Sequence, residues 1–185
     1  MRIAVGADHA GVPLNEAAIA ELRRLGHEVV DLGTHDRSQP DDYPDYAAAV
    51  AEEVASGRCQ RGLLICGSGV GVAVAANKFR GIRAGMCHDI YSAHQGVEHD
   101  DMNVLCLGAR VIGPELMLDL VRAFVAARFT GEERHRRRLA KVMALEHRIV
   151  EKEQCEGGGG SKLRCRGCTV AQEPGTRTGR IFDRQ

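Results

Sequence analysis

The sequence carries no net charge, because its 25 lysines and arginines are matched by 25 aspartates and glutamates. With no global field to steer it, neither nucleic acid nor a membrane surface is an expected partner. It also lacks any apolar run near the roughly 18 residues that a membrane span requires. The opening MRIAVGADHAG has no signal-peptide layout and reads as a strand entering a turn. A disulfide framework is missing too: the seven cysteines are odd in number, and Cys66, Cys87 and Cys106 sit in apolar, strand-like runs. Reduced thiols in a cytoplasm are the expectation. There is no internal repeat, and 185 residues suffice for one domain with a full core and a tail.

What is present is a strict alternation of short β-rich runs and amphipathic stretches. RIAVGA (2–7), HEVVDLG (27–33), RGLLICG (61–67), IRAGMCH (82–88) and NVLCLGA (103–109) read as strands. Between and after them, 12–26, 45–57, 70–79, a stretch from about Ile90, 114–129 and 132–150 read as helices. Residues 61–67 are apolar almost throughout, as in a strand covered on both faces. The pattern predicts an α/β fold: a five-stranded parallel sheet with helices on both sides, three layers in all, over residues 1–150. Residues 151–185 change character, with four consecutive glycines and almost no apolar spacing, and read as a flexible tail. Gly157–Ser161 also has the look of an inserted linker. Cys165-x-x-Cys168 with Cys155 upstream lacks the second ligand pair of a zinc site.

In an open parallel sheet, ligands bind beyond the carboxyl ends of the strands. The first strand delivers Asp8 and His9 there, the third Cys66-Gly67-Ser68-Gly69, and the fourth Cys87-His88-Asp89. Gly67, Gly69 and Gly71 would let the backbone approach a ligand, and the helix starting near Val70 offers free N–H groups. Such a loop receives a phosphate, a carboxylate or a developing oxyanion. It matches neither the dinucleotide fingerprint nor the P-loop. Cysteines at helix N-termini are commonly acidified thiols, which makes Cys66 a candidate base or nucleophile, although a small buried core residue is the plain alternative. In HQGVEHDD (94–101) no metalloenzyme spacing is met, and His99 is the better acid–base candidate. Arg134 and Arg138, four apart on a helix, share one face that is either simply solvated or a phosphate clamp, and Arg110 ends the last strand.

Taken together, D-H-A-G after the first strand, I-C-G-S-G-V-G with A-A-N-K, Y-S-A-H, N-V-L-x-L-G-x-R-V-I-G and R-H-x-x-R resemble the type B ribose-5-phosphate isomerases. The family includes galactose-6-phosphate and allose-6-phosphate isomerases, and the resemblance runs from Met1 to about Glu146. It implies a Rossmann-like fold and a metal- and cofactor-independent aldose–ketose isomerase, a homodimer or tetramer with active sites between subunits. Cys66 would move a proton between C2 and C1 through a cis-enediolate. Val72 stands where some members place a glutamate base. Ser68 with the Gly67, Gly69 and Gly71 backbone would stabilise the enediolate, and His99 would open the sugar ring. Asp8 would hold hydroxyls, and His9, Arg110, Arg134 and Arg138 the phosphate, some of them from the partner subunit. Asp100 replaces the asparagine that relatives carry beside the ring-opening histidine, within the substrate-binding set. The expected substrate is D-ribose 5-phosphate. The alternatives are a hexose 6-phosphate of allose or galactose type, or a non-enzymatic sugar-phosphate- or nucleotide-binding protein.

Overall fold

The protein, seen here as a computed structural model, is described for residues 1–156, with side chains through Glu146. The elements are β1 (Arg2–Ala7), α1 (Val12–Arg24), β2 (Glu28–Asp31), α2 (Tyr43–Ala55), β3 (Arg61–Cys66), α3 (Val70–Ala76), β4 (Ala84–Met86), α4 (Ile90–Asp100), β5 (Val104–Gly108), α5 (Pro114–Ala126) and α6 (Glu133–Glu156). The five strands form one sheet in the order β2-β1-β3-β5-β4, and each neighbouring pair is parallel. The last helix continues past Val150, where the tail was expected to begin, and residues 157–185 with Cys165 and Cys168 lie outside the described residues.

Alternation along β3 divides the core into two layers. Leu63 and Ile65 point to the side covered by α1, α4 and α5, where Leu22, Met117, Leu120 and Phe124 are buried. Leu64 and Cys66 point to the α2–α3 side, among Val50, Val72 and Cys106. Every residue of β3 and β5 is buried, which explains their continuous apolarity. Each buried leucine or isoleucine contributes about 1.5–3 kcal/mol.

β4 is shorter than the predicted 82–88 because it is an edge strand with one neighbour, and side chains bind the backbone where it begins. Asn103 Oδ1 accepts from Arg83 N at 2.8 Å. Asn77 ends α3 early for the same purpose: its Oδ1 accepts from Ala84 N at 2.9 Å and its Nδ2 donates to Ala84 O at 2.9 Å. Near the amino end of β3, buried Arg61 donates to the Phe124 and Ala127 carbonyls that close α5. Asp89 caps α4, accepting from Ser92 N at 2.8 Å. Among the described residues no helix is long and apolar enough to cross a membrane.

Candidate active site

At the carboxyl ends of β1, β3 and β5 three loops converge. The turn after β1 is tied to β3 by Asp8 N donating to Ile65 O at 3.3 Å, and Arg110 N donates to Gly67 O at 3.0 Å after β5. Asp8 is buried, and its Oδ1 accepts from Ala10 N at 3.0 Å and Gly11 N at 2.9 Å. The turn thus holds itself, and the second Asp8 oxygen is not needed for it. Cys66 is only 4% exposed, and its Sγ accepts from Gly69 N at 3.1 Å. That contact needs the loop to double back over the strand end, which Gly69 achieves with φ 81°, in the left-handed region. Ser68 is exposed, its Oγ accepting from Val70 N at 3.3 Å at the start of α3. The Arg110 guanidinium stands beside Gly67, where an added β-carbon would lie 3.6 Å away.

Two neighbours of this edge escaped the sequence reading. The Tyr43 ring lies flush against Gly71, so close that a β-carbon there would meet it at 2.8 Å, and it walls the glycine loop from the α2 side. Asp41 binds the His9 ring, with Oδ1 2.6 Å from Nδ1. Both belong to the aperiodic stretch between β2 and the first turn of α2, where no spacing signals a partner. Of the trio after β4, Cys87 is buried and its thiol is pushed up to about 11 by that burial, while Asp89 is spent as the cap. His88 alone reaches the edge, its Nε2 accepting from Gly108 N at 3.0 Å.

His99, Asp100, Arg134 and Arg138 assemble elsewhere. α4 leaves β4 at the carboxyl edge and must return the chain to the start of parallel β5, so its last turn lies at the amino edge. Eleven residues of helix put about 16 Å between the two ends. Asn103, just beyond, accordingly accepts from Gly62 N at the start of β3, at 2.8 Å. There the His99 and His135 rings stack with centroids 4.1 Å apart. Gln95 Nε2 meets His99 Nδ1 at 2.8 Å and, as donor, leaves Nε2 to carry the ring proton. Thr130 donates its hydroxyl to Glu98 O at 3.1 Å, so the same oxygen accepts from His135 Nδ1 at 2.8 Å. Burial, reinforced by the neighbouring His99 and Arg134, pushes His135 below the ordinary imidazole value. A neutral His135 therefore backs His99. Arg134 and Arg138 are exposed on the same first turns of α6, Arg134 pairing with Glu132 at 2.9 Å, and Asp100 is exposed at the end of α4. His94 turns from His99 to pair with Glu98 at 3.3 Å.

One edge thus offers a thiol and a donor loop, the other an imidazole beside two guanidinia. The model of the ribose/galactose isomerases matches residues 3–142. The chain belongs to that family. It is 46% identical over 147 residues to the ribose-5-phosphate isomerase B of Escherichia coli, covering 80% of this chain and 97% of that one. It is 40% identical over 131 residues to a D-erythrulose-4-phosphate isomerase of Pectobacterium atrosepticum, covering 71% of this chain and 86% of that one. The solved ribose-5-phosphate isomerase B of Clostridium thermocellum superposes with a TM-score of 0.78 at 44% identity, covering 80% of this chain and 99% of that one. The protein is therefore an isomerase with the family's Rossmann-like α/β fold, and the alternative of a non-enzymatic binding protein falls away.

Proposed function

We propose that the protein interconverts D-ribose 5-phosphate and D-ribulose 5-phosphate, with Cys66 as the base. The observation that carries this reading is the Cys66 sulfur at the mouth of the Gly67–Gly71 loop, with a backbone donor turned toward it. Isomerisation is redox-neutral. As the furanose opens, His99 Nε2–H gives its proton to the ring oxygen and the O1 hydroxyl proton passes back to Nε2, which leaves the aldehyde at C1. Cys66 takes the proton from C2, and the electron pair moves through C1–C2 onto the carbonyl oxygen. The loop N–H groups and Ser68 receive that charge. The same proton returns to C1 while the O2 proton passes to O1, giving the ketose. Asp8 holds sugar hydroxyls with the oxygen its turn leaves over, and His9, Arg110, Arg134 and Arg138 hold the phosphate.

Because His99 and Cys66 lie at opposite edges of one sheet, a second copy must bring the imidazole to the thiol. A partly apolar rim suits that contact: Val70, Val74, Met86, Ile90 and Tyr91 are exposed around the carboxyl edge, Tyr91 by 72%. The working form is a homodimer or an assembly of dimers. Free Cys59, Cys66, Cys87 and Cys106 suit the reducing cytoplasm. Residues 1–150 carry the chemistry and 151–185 are dispensable to it.

A panel of four-, five- and six-carbon aldose phosphates, assayed with and without chelator, tests the reading. Turnover highest on D-ribose 5-phosphate and indifferent to chelator supports it, and no turnover of that sugar refutes it. The four-carbon arm is included because of the D-erythrulose-4-phosphate isomerase among the relatives.

A further inference from the structure

The loop between β2 and α2 folds back onto the turn after β1, and Asp41 is where they join. Its Oδ1 accepts from His9 N at 3.0 Å and lies 2.6 Å from His9 Nδ1. Its Oδ2 is 3.2 Å from His9 N and accepts from the Tyr46 hydroxyl at 2.8 Å. Burial opposes a charge on Asp41, but the bonds from His9 and Tyr46 outweigh it and hold the carboxyl below its usual range. A carboxylate only accepts, so the proton in the 2.6 Å contact belongs to Nδ1. Asp41 N also approaches Nδ1, at 3.4 Å, but a nitrogen that donates to the carboxylate has no lone pair for it. Nε2 is the nitrogen left over.

Asp8, His9 and Asp41 offer ligand atoms within 4.8 Å of one another, a spacing that would suit a cation. Their wiring argues otherwise. Asp8 Oδ1 accepts from two backbone N–H groups, and both Asp41 oxygens accept from fixed donors. The group is a hydrogen-bond chain, Tyr46 to Asp41 to His9, ending on a ring nitrogen.

We propose that Asp41 is a positioning residue for substrate binding: it anchors the His9 ring through Nδ1, steadied by Tyr46, so that Nε2, when it too carries a proton, donates to the substrate phosphate. The proposal rests on His9 being a phosphate ligand, as in the proposed function. An unanchored ring rotates, and that freedom is lost when phosphate binds. Asp41 removes that cost beforehand, as outer partners do for metal-bound histidines.

The test combines 15N-histidine NMR with kinetics on D-ribose 5-phosphate. The Nδ1 of His9 should report a bound proton in the wild type and lose that signature in Asp41→Ala. The same variant should raise KM about tenfold, the scale of one charge-assisted hydrogen bond, with kcat within about twofold. Asp41→Glu should recover part of the loss, and Asp41→Ala should add nothing in a His9→Ala background. Tyr46→Phe, a milder change, should raise KM in the same direction, which guards against a misfolded Asp41 variant. An unchanged Nδ1 signal, or a KM rise that persists without His9, overturns the proposal and leaves Asp41 a structural residue. If the signal changes but His9→Ala leaves KM untouched, the phosphate role of His9 fails and takes the proposal with it.

Discussion

Gly69 donates its backbone N–H to the Cys66 sulfur across 3.1 Å, which joins the proposed base to the loop that is to receive the negative charge. Cys66→Ala should lower kcat at least ~100-fold, the usual scale for losing an acid–base group, at little cost to folding. The other buried thiols sharpen the test. Burial pushes Cys59 and Cys106 up, and Cys87 up to about 11, so each is a poor nucleophile near neutral pH. Iodoacetamide should therefore inactivate the enzyme in step with alkylation of the Cys66 peptide, and substrate should slow both. Near-normal turnover by Cys66→Ala would remove the cysteine from the mechanism.

The architecture was legible because each strand ends at a glycine or polar turn and each helix repeats its apolar face, so β1 and the start of α3 were read to the residue. Cys66 was legible for a local reason: strand, thiol and glycines are consecutive. Contacts between distant segments were not. Asp41 and His9 are 32 positions apart, and Tyr43 meets Gly71 across the gap between α2 and α3. Polar loop residues carry no period from which such pairings can be inferred. The stacking of His135 on His99 was hidden as well, since R-H-x-x-R drew attention to its arginines while the histidine between them is the buried member.

Opposite placement of Cys66 and His99 makes a complementation test decisive. Cys66→Ala and His99→Ala homodimers should each be nearly inactive. Mixed under conditions that exchange subunits, half of the dimers become hybrids, and each hybrid has one intact site of two. Activity should recover to about a quarter of wild type. Recovery that stays at the background of the two variants would mean that each site is built within one chain.

Arg134 and Arg138 are exposed on one face of α6 beside the His99 ring, where a phosphate held by the second copy would sit. Alanine at either position should raise KM for the sugar phosphate about tenfold or more, the worth of one ionic hydrogen bond. The free sugar provides the control, measured at high concentration. Equal losses on both substrates would make the pair an ordinary solvated surface.

Glu21 ties α1 to α5, accepting from Arg24 at 2.7 Å and from Arg122 at 2.6 Å. The Arg24 bond first, then the Arg122 bond, pull its carboxyl down to about 2 against an ordinary value of 4.5. Since the folded value is the lower, the unfolded chain takes up the proton first on acidification. The stabilisation is complete above 4.5 and disappears as pH falls through about 2. Glu21→Gln should melt below wild type at pH 7, and the gap should narrow steadily between pH 4.5 and the acid limit of folding. A gap that is constant over that window would show that shape, not charge, accounts for the loss.

Asp100 closes α4 next to His99, and Asp101 behind it turns the chain with φ 52° and pairs with Arg83 at 2.6 Å. The turn is therefore held by Asp101, and Asp100 is exposed and free of that duty. Its charge is badly placed by two measures: it sits at the negative end of a helix, and it would stand near the oxygens of an enediolate. A carboxylate accepts hydrogen bonds but donates none, whereas the asparagine that the resemblance implies at this position would do both. Asp100 must then either accept from sugar hydroxyls or turn away from them toward the His99 side. Under both, Asp100→Asn retains substantial activity and changes either the pH profile or the ratio of kcat/KM among four-, five- and six-carbon sugar phosphates. A carboxylate that accepts from a hydroxyl on one sugar only should shift that ratio about three- to tenfold, the range of one ordinary hydrogen bond. A variant that matches wild type on every sugar and at every pH would reduce Asp100 to a surface residue with no part in substrate choice.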